Sequence, residues 1–548
     1  MKHYIIYTIA LTTLAMPAMA QETYESANLA TEDVNGTARY VGMGGALESL
    51  GADVSTMSSN PASIGLFRKS GINFTMGATS LSGKDGDVAK EFKFDNKKSP
   101  MSLDQLGFVY AHEYDNGNFL NFGFTYRKSR NFNQILSHTG ALNGAALNKI
   151  PYQKSLIGNA NAGGYYLDYD DKDNLIGYAD ETSPHSSGCF SQVDYLFCNA
   201  FTIDPDDGNA YYYDGKNYSY VRDQRGYIGS YDINISGNQN DRIYWGLTIG
   251  IKDVNYSHDQ VYSENIVDVN NNSAGYYDIY DSKTISGHGY DLSAGIIFRP
   301  IDASPLRIGL SITTPTWYQL KSNNYTRFEN HGYDDNIDKP IGMYNEGKSE
   351  DKYEYKVFTP WKFGASLGYT IGKNIALGAS YIYSDYSAIE NRYITGYTYD
   401  SYYDTESADS KSDKIMNRHT ENCLQGVSTL KLGAEFKPMP ELAIRAGYNY
   451  VSPIYKTNGY RTTSLDTDGC YYSSSTDYVN WGATNRFSLG VGFIIDDFTI
   501  DVAYQRSMQK GDFYPFETIT VDGTPNKAPA VEVNNDRDQF LITLGYKF

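Results

Sequence analysis

The stretch Asp538-Gln539-Phe540-Leu541-Ile542-Thr543-Leu544-Gly545-Tyr546-Lys547-Phe548 decides how the rest of the chain is read. Phe540, Ile542, Leu544, Tyr546 and Phe548 share one parity; Gln539, Leu541, Thr543, Gly545 and Lys547 share the other. Side chains of an extended strand point alternately to opposite faces, so a period of two means a strand whose faces meet different surroundings. The apolar face ends in aromatic rings, as a lipid-facing strand does where hydrocarbon gives way to headgroups.

The pattern recurs upstream. Phe498, Ile500, Val502 and Tyr504 oppose Thr499, Asp501, Ala503 and Gln505. Phe487, Leu489, Val491, Phe493 and Ile495 oppose Ser488, Gly490 and Gly492, and Ile243, Trp245, Leu247, Ile249 and Ile251 oppose Gly246, Thr248, Gly250 and Lys252. A soluble sandwich would carry heavy charge on its polar face, whereas this face is rich in Gly, Ser and Thr. The periodicity predicts about fourteen strands, each near the roughly 9–11 residues that cross a bilayer at a tilt. They fall at 71–80, 103–113, 117–128, 226–237, 241–253, 284–299, 304–316, 358–371, 373–386, 427–437, 440–452, 484–495, 496–507 and 537–548. Connections alternate short and long, the parity of a bacterial barrel with periplasmic turns and outer loops. The expected fold is all-β: a transmembrane antiparallel β-barrel over 71–548, with the lumen plugged by the residues before it.

Composition agrees. The 548 residues include 52 Tyr and 51 Gly, which suit pleated walls and crowded interiors. A net charge of −19 argues against nucleic acid, whose phosphates need clustered cations. Residues 1–20 read as a signal peptide: Lys2 and His3, an apolar run from Tyr4 to Leu14, then Ala18-Met19-Ala20. That run is too short for a spanning helix, which needs about 20 residues. Export to the outer membrane of a Gram-negative cell follows, with membrane lipid and lipopolysaccharide as surroundings. Cys189, Cys198, Cys423 and Cys470 all fall in predicted outer loops. Three pairings are open; short separation favours Cys189–Cys198 and leaves Cys423–Cys470. No Cys/His spacing points to a metal. Asp204-Pro205-Asp206-Asp207-Gly208 offers carboxylates to calcium without the full spacing of a calcium loop, so the outer loops read as solvated chain.

Residues 21–70 lack the alternation. They carry Asn35-Gly36-Thr37-Ala38-Arg39-Tyr40-Val41-Gly42-Met43-Gly44-Gly45-Ala46 and Ser58-Ser59-Asn60-Pro61-Ala62-Ser63-Ile64-Gly65-Leu66. Small residues allow close backbone packing, as inside a barrel, and Asn-Pro favours a turn. Gly-Met-Gly-Gly-Ala followed by Asn-Pro-Ala-x-x-Gly resembles the N-terminal hatch of the FadL/TodX transporters, in the wording of a Bacteroidetes-like branch. The resemblance implies a signal peptide, a hatch over 21–70 and a fourteen-stranded barrel that carries long-chain fatty acids or similar molecules. Asn60, Pro61 and Ala62 match the family's Asn-Pro-Ala, either as a tight turn seating the hatch or as ligand contacts. Loop 129–225 is longer than the family norm. The family's kinked third strand, a sideways exit, has no counterpart break in Leu120–Arg127 apart from Gly123.

Passive transport of small hydrophobic molecules by a monomer is the expected function, through an apolar pocket above the hatch, with no cofactor. A carboxylate on the solute would need a lumenal cation. Alternation turns Arg127, Lys252, Arg299, Arg307, Lys362, Lys431 and Arg445 inward beside Asp291, Glu435 and Asp501. Arg39, Arg445 and Lys431 are the candidates, although Arg445 can instead pair with Glu435 across its hairpin. An enzyme is not expected, because the eight His form no recognisable nucleophile–base set. An energised haem or siderophore receptor needs about 22 strands. A passive haem-binding receptor, with His138, His258 or His419 as ligands, and a structural or adhesive barrel are the alternatives. The hatch motif speaks against an adhesin.

Overall fold

A computed structural model describes residues 22–81, 101–115, 117–158, 166–169, 175–179, 191–197, 200–201, 212–334, 339–342, 346–400, 405–465, 467–521 and 524–548. Residues 1–20, read above as a signal peptide, lie outside them, as do Cys189, Cys198 and Asp204–Gly208.

The wall consists of β1 (Gly71–Leu81), β2 (Met101–Asp115), β3 (Asn118–Asn131), β4 (Asp214–Gln239), β5 (Ile243–Val267), β6 (Ser273–Phe298) and β7 (Arg307–Thr313). It continues with β8 (Lys362–Ile371), β9 (Ile375–Asp385), β10 (Gly426–Met439), β11 (Leu442–Val451), β12 (Tyr478–Ile495), β13 (Phe498–Tyr514) and β14 (Arg537–Lys547). Each pairs antiparallel with its neighbours, and β1 closes the ring: Ile72 faces Phe108 of β2 on one side and Tyr546 of β14 on the other. Fourteen strands form a closed cylinder with no free edge.

The parities quoted above for β5, β12, β13 and β14 are kept. Phe540, Ile542, Leu544 and Tyr546 are exposed, while Leu541 and Thr543 between them are buried. Leu247, Ile249, Leu489 and Phe493 join the same outward belt. A continuous outer surface of Leu, Ile, Val and aromatic side chains is stable only in lipid. No described helix is long and apolar enough to cross a membrane. At the short-turn end, Asn240, Asp241 and Asp496 adopt positive φ, the left-handed backbone that tight hairpins require. The chain thus has the build of an outer-membrane barrel, short turns toward the periplasm and long connections outward.

The structure departs from the sequence reading above the membrane. β4, β5 and β6 run for 26, 25 and 26 residues, well beyond their predicted spans, because pairing continues past the apolar belt. Periodicity tuned to lipid contact stops where the outward face turns polar. The predicted loop after β7 contains an antiparallel pair, Trp317–Asp334 with Glu346–Phe358, that prolongs the wall beyond a break at Thr314-Pro315-Thr316. Pro315 has no N–H for the ladder there. The outer connections are not merely solvated. Leu136, Phe197, Phe201, Tyr277, Phe328 and Phe513 share one buried cluster. Phe197 meets Phe328 edge-on at 4.8 Å, and burying each such ring contributes roughly 1.5–3 kcal/mol. The loops therefore form a packed cap.

Candidate functional site

Residues 22–70 lie inside the cylinder, descending from the cap to the short-turn end. Helix α1 (Thr23–Ala30) starts under the cap, where Tyr24 stacks on Tyr455 at 4.7 Å. Helix α2 (Ala38–Gly42) is capped by Thr37, whose side chain accepts from Tyr40 N. Two 3₁₀ turns follow, Val54–Thr56 capped by Asp53 and Pro61–Leu66 capped by Asn60. Asn, Asp and Thr suit these positions because their short acceptors reach the free N–H groups of the first turn, and Pro61 suits the first helical position because it has none.

Wall glycines seat this segment. A Cβ on Gly447 would collide with Gly44 N, one on Gly378 with Ala46 O, and one on Gly246 with the backbone of Pro61. Direct hydrogen bonds complete the seat: Ala38 N donates to Thr543 Oγ1 at 2.7 Å, and Thr248 Oγ1 donates to Met57 O at 2.8 Å. The inward Gly and Thr of the alternating strands are thus contact points for a second piece of backbone. Strand β3 runs on without a kink at Gly123, whose open side faces the Met57 methyl group.

The candidate residues separate into two groups. Asn60, Pro61 and Ala62 form the capped turn, with Asn60 Oδ1 accepting from Ala62 N at 3.2 Å. Arg445 bonds Glu435 at 2.6 Å and Asp501 at 2.5 Å, while Arg39 approaches the same Glu435 at 3.5 Å. These five residues lie off the cavity described next. Lys431 does line that cavity and pairs with Glu48 at 2.6 Å. Arg127, Lys252, Asp291 and Glu435 are buried inward as alternation predicts, whereas Arg299 turns to Asp302 O at the short-turn end.

A cavity of about 300 Å³ lies between the N-terminal segment and the cap. Tyr256, Tyr386, Tyr455 and Trp481 give it an aromatic wall. The expected apolar pocket is corrected here, because cations outnumber carboxylates in its lining. One carboxylate, Asp33, stands among Arg130 at 3.1 Å, Arg486 at 3.5 Å and Arg537 at 3.9 Å, and accepts from Asn131 N at 2.9 Å. Its neighbour Glu32 bonds Lys362 and lies 4.0 Å from Arg127. Burial opposes ionisation of both acids, yet Lys362, Lys252 and Arg127 hold Glu32 well below the usual carboxylate range, and Arg130, Arg537 and Arg486 lower Asp33. Among the described residues, Asn449 Nδ2, Arg127 Nε, Arg130 Nε and Gln134 Nε2 are buried donors without an acceptor.

The three candidate haem ligands are not solvated loop histidines. His258 lines the cavity with both ring nitrogens engaged, at 2.9 Å from Tyr256 OH and 2.8 Å from Asp281 Oδ2. His419 contacts Thr23 Oγ1 at 2.8 Å and Cys423 Sγ at 3.4 Å, and burial pushes its pKa down to about 4. His138 is packed against Phe513, with ring centroids 4.0 Å apart. The expected Cys423–Cys470 bridge is absent as well: both thiols are free and buried. Cys423 contacts Tyr460 O at 3.2 Å, while Cys470 packs with Met416 and Leu465. Elimination among spacings carried no information about where either Cβ points. Sequence reasoning also missed one metal-compatible group, Asp278, Glu329 and His331, whose ligand atoms lie within 4.8 Å of one another. Arg327 already pairs with Glu329 at 2.6 Å.

No family model matches the sequence, and no curated protein matches it. Solved structures do resemble it. A FadL homologue of Pseudomonas aeruginosa is similar at 12% identity and a TM-score of 0.47, over 94% of this chain and 99% of that one. The toluene transporter TodX of P. putida gives 10% and 0.46, with coverage of 94% and 99%. The toluene transporter TbuX of Ralstonia pickettii gives 11% and 0.41, again with 94% and 99%.

Proposed function

We propose that this barrel is a passive outer-membrane conduit for small molecules with an apolar body, and that residues 21–70 act as its hatch. The reading rests above all on the aromatic-walled lumenal cavity enclosed between the N-terminal segment and the packed cap. Lipopolysaccharide presents a polar, crosslinked layer that apolar molecules cross slowly, so a shielded path speeds their entry. An apolar body pressed against Tyr256, Tyr386, Tyr455 and Trp481 would gain roughly 25 cal/mol for each Å² removed from water. The cationic flank suits a solute that also bears an acidic group, such as a long-chain fatty acid. Entry requires the cap to part, and exit requires the hatch to shift from its glycine seats. Movement would follow the concentration gradient. One chain closes the wall without an edge, which suits a monomer in lipid and lipopolysaccharide.

The test is uptake. Cells carrying the protein in the outer membrane should accumulate radiolabelled oleate or toluene faster than cells with an empty vector, and organic extraction of the purified protein should yield bound small amphiphiles. Equal uptake with and without the protein, for both probes, sinks the proposal.

A further inference from the structure

We propose that Asp33 is a resident counter-ion: it occupies a seat for the anionic group of an incoming amphiphile, formed by Arg130, Arg486 and Arg537, and surrenders it when such a molecule arrives. The inference rests on the cavity being the route of passage and adds to that reading a ligand-exchanged latch.

The charge count motivates it. Three guanidinium groups converge on a single carboxylate, which leaves the seat with an excess of positive charge. A carboxylate has two oxygens, and Asp33 uses one of them for Asn131 N. Only Arg130, at 3.1 Å, makes a direct hydrogen bond of normal length. Arg486 and Arg537 stand farther off and donate elsewhere as well, Arg486 to Asn449 Oδ1 at 2.8 Å and Arg537 to Asn131 O at 2.8 Å.

The donors left over point the same way. Asn449 is fully buried and lines the cavity. Its Oδ1 is committed to Arg486, which fixes the amide orientation, and its Nδ2 has no acceptor among the described residues. Arg130 Nε is in the same condition. A buried donor left unmade costs about 1–3 kcal/mol. Surplus cations with surplus donors form a seat suited to an anion with more oxygens than Asp33 can bring. The aromatic wall beside it would take the apolar chain of the same molecule.

Position makes Asp33 a latch. It lies in the link between α1 and α2, and its own N–H donates to Ser129 O of β3 at 2.8 Å. Its carboxylate therefore ties the lumenal segment to β3, β12 and β14 together. Exchange for a ligand's anionic group would release those three attachments while leaving the arginines facing a counter-charge. A tethered acid competes continuously with a free one, so the apparent affinity of the seat is its intrinsic affinity scaled down by the fraction of time it stands open.

Full-length protein in lipid nanodiscs, read by the fluorescence of Trp481 in the cavity wall, tests this with dodecanoate and dodecanol as probes. Asp33→Asn keeps the shape and removes the competitor. It should tighten dodecanoate binding about tenfold or more, as expected when a closed seat is opened, and leave dodecanol within about twofold. Arg537→Gln should do the reverse, weakening dodecanoate alone. A structural pin would behave differently: Asp33→Asn would weaken both probes or neither. If dodecanoate binding is unchanged or falls in Asp33→Asn while dodecanol still binds the wild type, the latch is wrong and the conduit stands. If neither probe binds the wild type, both fail.

Discussion

Lys431 Nζ lies 2.6 Å from Glu48 Oε1, both side chains being more than nine-tenths buried, so that β10 and the lumenal segment share an ion pair shielded from solvent. Ser380 of β9 donates to the other oxygen of the same carboxylate at 2.5 Å, and Tyr40 OH sits 3.2 Å from the ammonium. Removing one partner of such a pair strands a charge and costs about 3–5 kcal/mol, whereas removing both costs far less. Lys431→Met or Glu48→Gln alone should therefore lower the denaturant midpoint of the folded protein, and the double variant should recover most of the loss. A double variant no better than the singles would show that the two residues are not energetically coupled.

Gly447 packs against the backbone of Met43 and Gly44 with no room for a methyl group. Gly447→Ala should cost about 1–3 kcal/mol through overpacking and, if the lumenal segment acts as the proposed hatch, lift it from its seat, which single-channel recording would detect as increased open conductance. Ala446, one residue earlier and facing lipid, is the control. Ala446→Leu should leave both stability and conductance unchanged.

Asp33 and Glu32 predict an acid-labile seating of the lumenal segment. Burial raises both pKa values, but the facing cations win: Lys362, Lys252 and Arg127 for Glu32, and Arg130, Arg537 and Arg486 for Asp33. A carboxylate whose folded pKa lies below its unfolded value of about 4 contributes stability that is complete above that value and is lost as pH falls through the folded one. Thermal melts should thus show a stability component present at pH 7 and 5 that fades below about pH 4. In the Glu32→Gln/Asp33→Asn variant that part of the pH dependence should disappear.

Cys423 and Cys470 should behave as inert thiols. Burial raises the pKa of both, that of Cys470 to about 12, and the thiolate is the reactive form. Iodoacetamide should leave both unmodified in the folded protein and alkylate both after unfolding, as read by peptide mass spectrometry. Recovery of a peptide joining Cys423 to Cys470 from unreduced protein would contradict the structure.

The wall was legible because its signal is local. Phe540, Ile542, Leu544 and Tyr546 announce a lipid-facing strand through nothing more than their spacing, and the alternation of short and long connections counts the strands to an even number. The glycine- and alanine-rich segment before residue 71 was legible as an interior piece for a similar reason, since small side chains permit close backbone approach wherever they are placed. Inward charges were legible as inward, but their partners were not. Arg445 meeting Glu435 could be read across a hairpin, whereas Asp33 meeting Arg130, Arg486 and Arg537 joins residues hundreds of positions apart.

By itself, then, the sequence determined a two-faced wall, its closure and the segment destined for its interior, because backbone geometry and the contrast between lipid and lumen act residue by residue. Only the tertiary structure decided that the outer loops pack into a cap, that Cys423 and Cys470 stay apart, and that the cavity is flanked by arginines sharing one acid. Those features depend on which side chains are brought together in three dimensions. Hydrogen-bond reach and charge pairing are set by separation in space, and no periodicity along the chain encodes that separation.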